Sequence, residues 1–310
     1  MTDPEQQVGV SIGTASVLGL ARVRMETAPT TAYLMIGGRC TRACGFCAQA
    51  RDSHSSALNL SRVTWPLFPL ATLLPALREA APSGAVRRVC LQVTAGRGSY
   101  DEALALLQAL RATVTLPINV AILPRGLEQV EALLEAGADH VGLGLDAVTP
   151  AVYARVKGRR WEEAAGFLER AARRFPGRIS VHAIVGLGES EQEAVQALGW
   201  LHGLGVVVGL FAFTPVAGTR MAGTPPPPLD AYRRLQVARH LIAHGLSRAE
   251  TFRFDPQGRI CHFGVDDPAA LIPQGQCFRT SGCPDCNRPY YNERPGGVMY
   301  NYPRPLTPEE

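Results

Sequence analysis

No uninterrupted apolar run in this 310-residue sequence approaches the roughly 20 residues needed to cross a bilayer. The start, Met1 to Gln7, is polar and acidic and has no charged stretch leading into an apolar one, so no targeting segment is expected. Charge of one sign is scarce too. The formal net charge is only +4, and the basic pairs Arg159-Arg160 and Arg173-Arg174 stand outside any aromatic-rich block. That leaves nucleic-acid binding with weak support, and the mild positive charge suits an acidic protein partner or no partner at all. No internal repeat is recognisable. The expectation is a soluble, cytoplasmic protein with neither membrane nor nucleic acid among its partners.

Hydrophobic residues make up 46% of the chain and charged residues 19%, the composition of a globular domain rather than of a disordered chain. Short apolar runs rich in β-branched residues fall at Tyr33–Ile36, Val86–Thr94, Ile118–Leu123, His140–Leu145, Ile179–Val185 and Val206–Phe213. Amphipathic stretches alternate with them, at Pro66–Glu79, Tyr100–Arg111, Leu127–Ala136, Trp161–Arg174, Glu191–His202 and Leu229–His244. Six strand–helix units predict the α/β class: a parallel sheet with right-handed crossovers, closed or nearly closed into a TIM-type barrel. An open doubly wound sheet is compatible with the same alternation. Residues 1–30 read as an N-terminal extension packing as a lid or extra helix, 31–246 as the barrel, and 247–310 as a cysteine-rich extension without helical rhythm. Tyr290, Tyr291, Tyr300 and Tyr302 argue against disorder in that tail, and a metal-stapled segment fits it.

The eight cysteines are clustered, and in a reducing compartment clustered cysteines bind metal more often than they form disulfides. Cys40-Thr-Arg-Ala-Cys44-Gly-Phe-Cys47 follows the first strand directly. Three thiolates at this spacing on one loop can grip three irons of a cubane cluster and leave the fourth open to a small chelating ligand. The loop also sits at a strand's carboxyl end, where parallel barrels place their active sites. A zinc loop is the alternative, and it needs a nearby fourth ligand. The next histidine, His54, lies outside the usual spacing.

This motif resembles that of the radical S-adenosylmethionine superfamily, and the likeness extends over residues 30–245. The resemblance implies a partial barrel, a 4Fe–4S cluster on Cys40, Cys44 and Cys47, and S-adenosylmethionine chelating the open iron. Reductive cleavage would release a 5′-deoxyadenosyl radical that abstracts hydrogen from an unactivated carbon. Ile184-Val-Gly-Leu-Gly-Glu189 looks like the superfamily's adenine-binding strand end, with Gly186 and Gly188 letting backbone approach the base and Glu189 near the helix start. A plain glycine-rich turn is the alternative there. Asp146 is a candidate for the ribose hydroxyls or the methionine, or else a helix cap. Thr94-Ala-Gly-Arg-Gly98 departs from the Gly-Gly-Glu of many relatives, so only Gly96 carries over as a cofactor-loop position, with Gln92 a further polar candidate.

A second site is expected in the tail, where Cys277, Cys283 and Cys286 follow Cys261. Four cysteines suffice for a structural zinc knuckle. The alternative is an auxiliary 4Fe–4S cluster on Cys277, Cys283 and Cys286, completed by Cys261 or by an oxygen donor such as Ser281. Cys90 reads as a buried small hydrophobe; His182 reads as a core histidine or as one facing the barrel lumen, and His262, beside Cys261, as part of a surface turn or as an iron ligand. Asn287, Arg288 and Arg294 suit either carboxylate binding or bracing a cluster loop.

Cys44-Gly-Phe-Cys-Ala-Gln49, Ile184–Glu189 and Phe213-Thr-Pro-Val-Ala-Gly-Thr219 resemble the biotin and lipoyl synthase group. The strands at 118–123 and 179–185 lack cysteines that biotin synthases would place there for their donor cluster. Single-chain lipoyl synthases carry auxiliary cysteines ahead of the radical motif, and this chain has none there. The start Ser11–Leu20 and the tail Thr280–Pro295 look instead like the two-protein lipoyl synthases. That likeness implies a second radical lipoyl synthase component, an octanoylated lipoyl-carrier protein and an electron donor such as ferredoxin or flavodoxin as partners.

Overall fold

The computed structural model describes residues 3–293 and 296–310; Arg294, one of the basic candidates of the tail, lies outside them. The chain forms two compact units. The first comprises Met1–Gly144, Val216–Ala222 and Pro284–Tyr291. Its elements run β1 (Gln7–Val10), α1 (Ile12–Val17), β2 (Thr31–Ile36), the short pair β3 (Asn59–Leu60) and β4 (Val63–Thr64), β5 (Leu67–Pro69), α2 (Leu70–Ala80), β6 (Arg88–Val93), α3 (Ser99–Thr113), β7 (Ile118–Ile122), α4 (Leu127–Glu135) and β8 (His140–Asp146), whose last two residues are counted in the second unit.

All six residues of β2 are buried, as its unbroken apolar run requires of a strand covered on both faces. β2, β6, β7 and β8 pair in parallel, and the register places Tyr33, Cys90, Asn119 and His140 side by side across the four strands. Each new strand is added on the same side of the last, with no reversal of strand order. A doubly wound sheet would reverse at a switch point, so the barrel-type reading holds. On the other edge of β2, β1 pairs antiparallel, and β5 pairs antiparallel with β1. The N-terminal extension therefore contributes a strand as well as the short helix α1. The helix expected from Pro66 begins only at Leu70, because Pro69 is extended with ψ 144 at the cap and the preceding residues join the sheet edge.

The second unit comprises Leu145–Pro215, Gly223–Cys283 and Asn292–Glu310. It contains α5 (Pro150–Lys157), α6 (Trp161–Arg174), β9 (Ile179–Val185), α7 (Glu191–Gly203), β10 (Val207–Ala212), α8 (Leu229–Ala243) and the hairpin β11 (Arg253–Phe254) and β12 (Ile260–His262). β9 and β10 are parallel over six residue pairs. Their core packs Ala183, Val185, Leu198, Leu210, Tyr232 and Leu235 together. α7 starts at a capping box, Ser190 with Glu193. α6 carries Glu162 and Glu163 in its first turn and Arg173 and Arg174 in its last, which suits the helix dipole at both ends. α5 escapes periodicity because it is only eight residues long. Its signals are local: Thr149 caps Val152 N–H, Pro150 opens the helix and Gly158 ends it in the left-handed region.

The eight-stranded sheet is mostly parallel and carries helices, consistent with a partial TIM-type barrel. Among the described residues no helix is long and apolar enough to cross a membrane.

Candidate functional site

The cysteine motif occupies the loop that leaves β2, in the first unit. Gly37 turns the chain with φ +95, and a Cβ there would lie 2.6 Å from Thr94 Oγ1 and 2.7 Å from Thr94 O. Only glycine lets the ends of β2 and β6 approach so closely. Thr94 Oγ1 donates to Ile36 O at 3.1 Å or to Gly38 O at 2.7 Å, and Thr41 donates to Ala95 O through its N–H and its hydroxyl. Gly96 belongs to this second loop, where its N–H meets Ser99 Oγ at 3.1 Å and a Cβ would come within 3.3 Å of Gly37 O. The structure thus brings the cysteine loop and the Gly96 loop into one bonded piece.

Arg39 winds the loop around itself. Its Nη1 donates to the carbonyls of Ala48, Ala50 and Ser53 and its Nη2 to that of Ser55, at 2.8 to 3.2 Å. Cys40 N–H donates to Gln49 O, Cys47 N–H to Cys44 O, and Arg42 N–H to Cys40 Sγ at 3.4 Å. Gln49 Nε2 holds the carbonyls of Ala57 and Asn59, both at 2.7 Å. The three thiols are half-buried, as suits a cluster shielded by protein yet open to a ligand.

The tail segment Pro284–Tyr291 belongs to the same unit. Thr30 Oγ1 donates to Asp285 O at 2.6 Å, Arg88 Nε to Pro284 O at 2.9 Å, and Asn287 braces Thr30 and Ala28. Cys286 Sγ lies 3.4 Å from Tyr33 Oη, which accepts Arg288 N–H at 3.0 Å. With that lone pair engaged, the Tyr33 hydroxyl is free to donate its proton towards the sulfur. Cys90 Sγ accepts from Gln92 Nε2 at 3.0 Å and Asn119 Nδ2 at 3.6 Å. Tyr291 stacks at a tilt on Tyr33 and edge-on to Trp65. Its buried hydroxyl has no hydrogen-bond partner among the described residues. Burial pushes the Tyr291 phenol up, and the thiols of Cys90 and Cys286 push it further.

In the second unit, Asp146, Gly186, Gly188 and Glu189 gather about α5. Asp146 has φ +61, uncommon for a residue with a side chain. Lys157 Nζ donates to its Oδ2 at 2.5 Å. The Glu189 carboxylate turns back onto its own loop, accepting Gly186 N–H at 2.5 Å and Leu187 N–H at 3.2 Å. Burial raises its pKa, and those backbone donors pull the other way. Glu189 therefore shapes the glycine turn through its own backbone. Cys277 is buried, which pushes its thiol up to about 11 against the pull of Arg239 and Arg233. Cys283 is half-buried, while Cys261 is exposed on β12. Ser281 Oγ accepts Leu210 N–H at 2.9 Å, so β10 already engages that oxygen. His182 meets Phe211 edge-on at 4.8 Å, and His262 Nδ1 accepts Gly264 N–H in a local turn.

The sequence model of the radical SAM superfamily matches residues 34–201, more than half the chain. A biotin synthase of Halorhodospira halophila is 31% identical over 258 residues, covering 81% of this chain and 76% of its own length. The chain belongs to the radical S-adenosylmethionine superfamily. It is also similar to a biotin synthase of Desulforudis audaxviator, 30% identical over 66% of this chain, and spans 62% of that relative's length. Among solved structures, methylornithine synthase matches with a TM-score of 0.52 at 15% identity, over 69% of this chain and 62% of its own. The FeFe-hydrogenase maturase from Carboxydothermus hydrogenoformans matches at 0.50 and 20% identity, over 69% of this chain and 51% of its own. At such identities these two speak for the fold alone.

Membership implies a 4Fe–4S cluster and S-adenosylmethionine. The donor set around Cys40 suits such a cluster: three thiols on one loop, a backbone N–H on the first sulfur, and a loop fixed by Arg39. Among the described residues no group of three or more His, Cys, Asp or Glu is drawn together to hold a single metal ion; a cubane spreads its thiolates, one to each iron. Sequence patterns missed Arg39, Thr94, Arg155 and Lys157. Arg39, adjacent to Cys40, and Thr94, which opens the Thr94–Gly98 loop, carried positional hints but no role.

Proposed function

We propose that this radical SAM enzyme inserts sulfur at an unactivated carbon of a protein-bound octanoyl chain during lipoyl formation, as one component of a pair. Cys40, Cys44 and Cys47 hold the radical cluster. We assign the Gly96 loop to the methionine end of S-adenosylmethionine, and Asp146 with the Gly186–Glu189 turn to its nucleoside. Cys277, Cys283 and Cys286 hold a second cluster as sulfur source, with Cys261 or Ser281 as candidates for its remaining position. When bound, the radical cluster and S-adenosylmethionine supply the carbon radical that removes hydrogen from the acyl chain. A reduced ferredoxin or flavodoxin supplies the electron.

The observation that carries the sulfur-donor role is the seating of Cys286. A tail cysteine is fixed against the parallel strands, its sulfur 3.4 Å from the Tyr33 hydroxyl, beside a buried Tyr291 hydroxyl that no described residue satisfies. Buried polar groups ordinarily find a partner, and sulfide on a cluster at Cys286 offers one. The protein's work is to bind, orient and shield: proximity decides which of several near-identical methylenes reacts. Carrier domains that present acyl chains are commonly acidic, which suits the net charge of +4.

The names of its relatives favour a second reading, biotin synthase-type sulfur insertion. Anaerobic turnover on an octanoyl-lysine peptide, read by mass with and without the candidate partner enzyme, separates the two. The proposal expects the peptide to gain sulfur and dethiobiotin to remain unchanged. Conversion of dethiobiotin with no reaction on octanoyl-lysine overturns it in favour of the second reading. A non-catalytic cluster carrier would cleave no S-adenosylmethionine in either assay.

A further inference from the structure

Lys157 is the chain's one lysine, against thirty arginines. It is buried, with 8% of its surface exposed. Its ammonium donates to Asp146 Oδ2 at 2.5 Å and Leu145 O at 3.3 Å, and lies 5.5 Å from the centre of the Tyr153 ring. Burying an ammonium is costly unless its partners are well placed. A planar guanidinium cannot stand in for a compact point charge at such a place. A sequence that uses arginine for every other such cation departs from it where a carboxylate in the left-handed region must be held.

Two residues earlier on the same helix, Arg155 Nη2 donates to Leu187 O at 2.5 Å. Its guanidinium fills the space over Gly188, where any Cβ would collide with it and where φ is +118. Leu187 N–H is already taken by Glu189 at 3.2 Å, so both backbone groups of Leu187 are fixed, one from the loop and one from α5. The eight-residue α5 thus grips the turn that ends β8 and the turn that ends β9.

We infer that α5 sets a nucleoside site: Lys157 and Arg155 are positioning residues that fix two turns, the one ending β8 for a ribose and the one ending β9 for its adenine. The inference rests on the proposed adenosyl site and adds how that site is set. Lys157 engages Asp146 Oδ2 and leaves Oδ1 to accept from a ribose hydroxyl. Arg155 holds the glycine turn at a constant height for the base. The two residues act on different parts of the ligand, and that makes their effects separable.

Because the lysine is single, a 13Cε-lysine label gives one side-chain NMR signal. Saturating the iron-reconstituted protein with 5′-deoxyadenosine shifts that signal, whereas methionine alone leaves it in place. Lys157→Met weakens 5′-deoxyadenosine binding about tenfold, the loss of one charged hydrogen bond, and spares free adenine. Lys157→Arg does not restore the affinity. Arg155→Met weakens adenine and 5′-deoxyadenosine alike, about tenfold. Iron per chain is unchanged in all three variants. An unmoved lysine signal on saturation overturns the inference, and it can be read even if a variant fails to fold. So does wild-type affinity for 5′-deoxyadenosine in Lys157→Met or Arg155→Met. If the wild-type protein binds no adenosyl compound at all, the adenosyl-site reading falls too, which distinguishes the two failures.

Discussion

Arg39 takes no part in the chemistry assigned to its loop, yet four carbonyls depend on it. Arg39→Met should leave them to water and loosen the path from Cys47 to Ser55. The expected cost is about 1–3 kcal/mol in stability. Cluster iron should also be lost faster during anaerobic gel filtration, and unchanged iron retention would show that the thiols alone order the loop. Gly37→Ala attacks the same loop from the other side. Its methyl group would have to displace Thr94, 2.6 Å away, so the paired loops should part and iron content fall, whereas Gly38→Ala, with open space around it, should be milder. At this scale the Cys40–Cys47 motif is legible because a cluster of the kind proposed demands one residue type at fixed spacing. Arg39, Thr94 and Lys157 are not, because each acts on backbone or carboxylate groups that only the fold brings near.

At the scale of elements, period and composition reveal the long strands and helices. They miss β1 and β5, strands of four and three residues too short to show an alternating pattern, and α5, whose ends are marked by Thr149, Pro150 and Gly158 rather than by periodicity. α8 offers a test of its own. His240 is buried there, its ring centre 4.1 Å from that of the tilted His244 ring. Burial lowers its pKa from 6.5 to about 4, with His244 and Arg239 adding to the effect. A histidine held neutral in the fold takes up its proton more readily when unfolded. Stability should therefore be fully present above about 6.5 and fall as pH drops towards about 4. The contribution is on the order of 1–3 kcal/mol. Thermal melts across that window should flatten in His240→Gln, and parallel pH profiles for the two proteins would contradict the assignment.

At the scale of the whole molecule, the barrel and its radical cluster are written in the sequence more plainly than the substrate. The motif is local, while acyl-chain selection depends on surfaces that no short pattern encodes. Two cubanes predict about eight irons per chain after anaerobic reconstitution, and half that number when Cys40, Cys44 and Cys47 are all changed to Ala. Stoichiometric zinc in the tail would end the sulfur-donor role and leave the radical assignment standing. The central claim is that one cluster makes the radical and the tail supplies the sulfur. The most direct test counts 5′-deoxyadenosine and thiolated octanoyl-lysine in the same anaerobic reaction for wild type, Cys44→Ala and Cys283→Ala. The account predicts both products from wild type, neither from Cys44→Ala, and 5′-deoxyadenosine without thiolated product from Cys283→Ala. Full sulfur insertion by Cys283→Ala would contradict it.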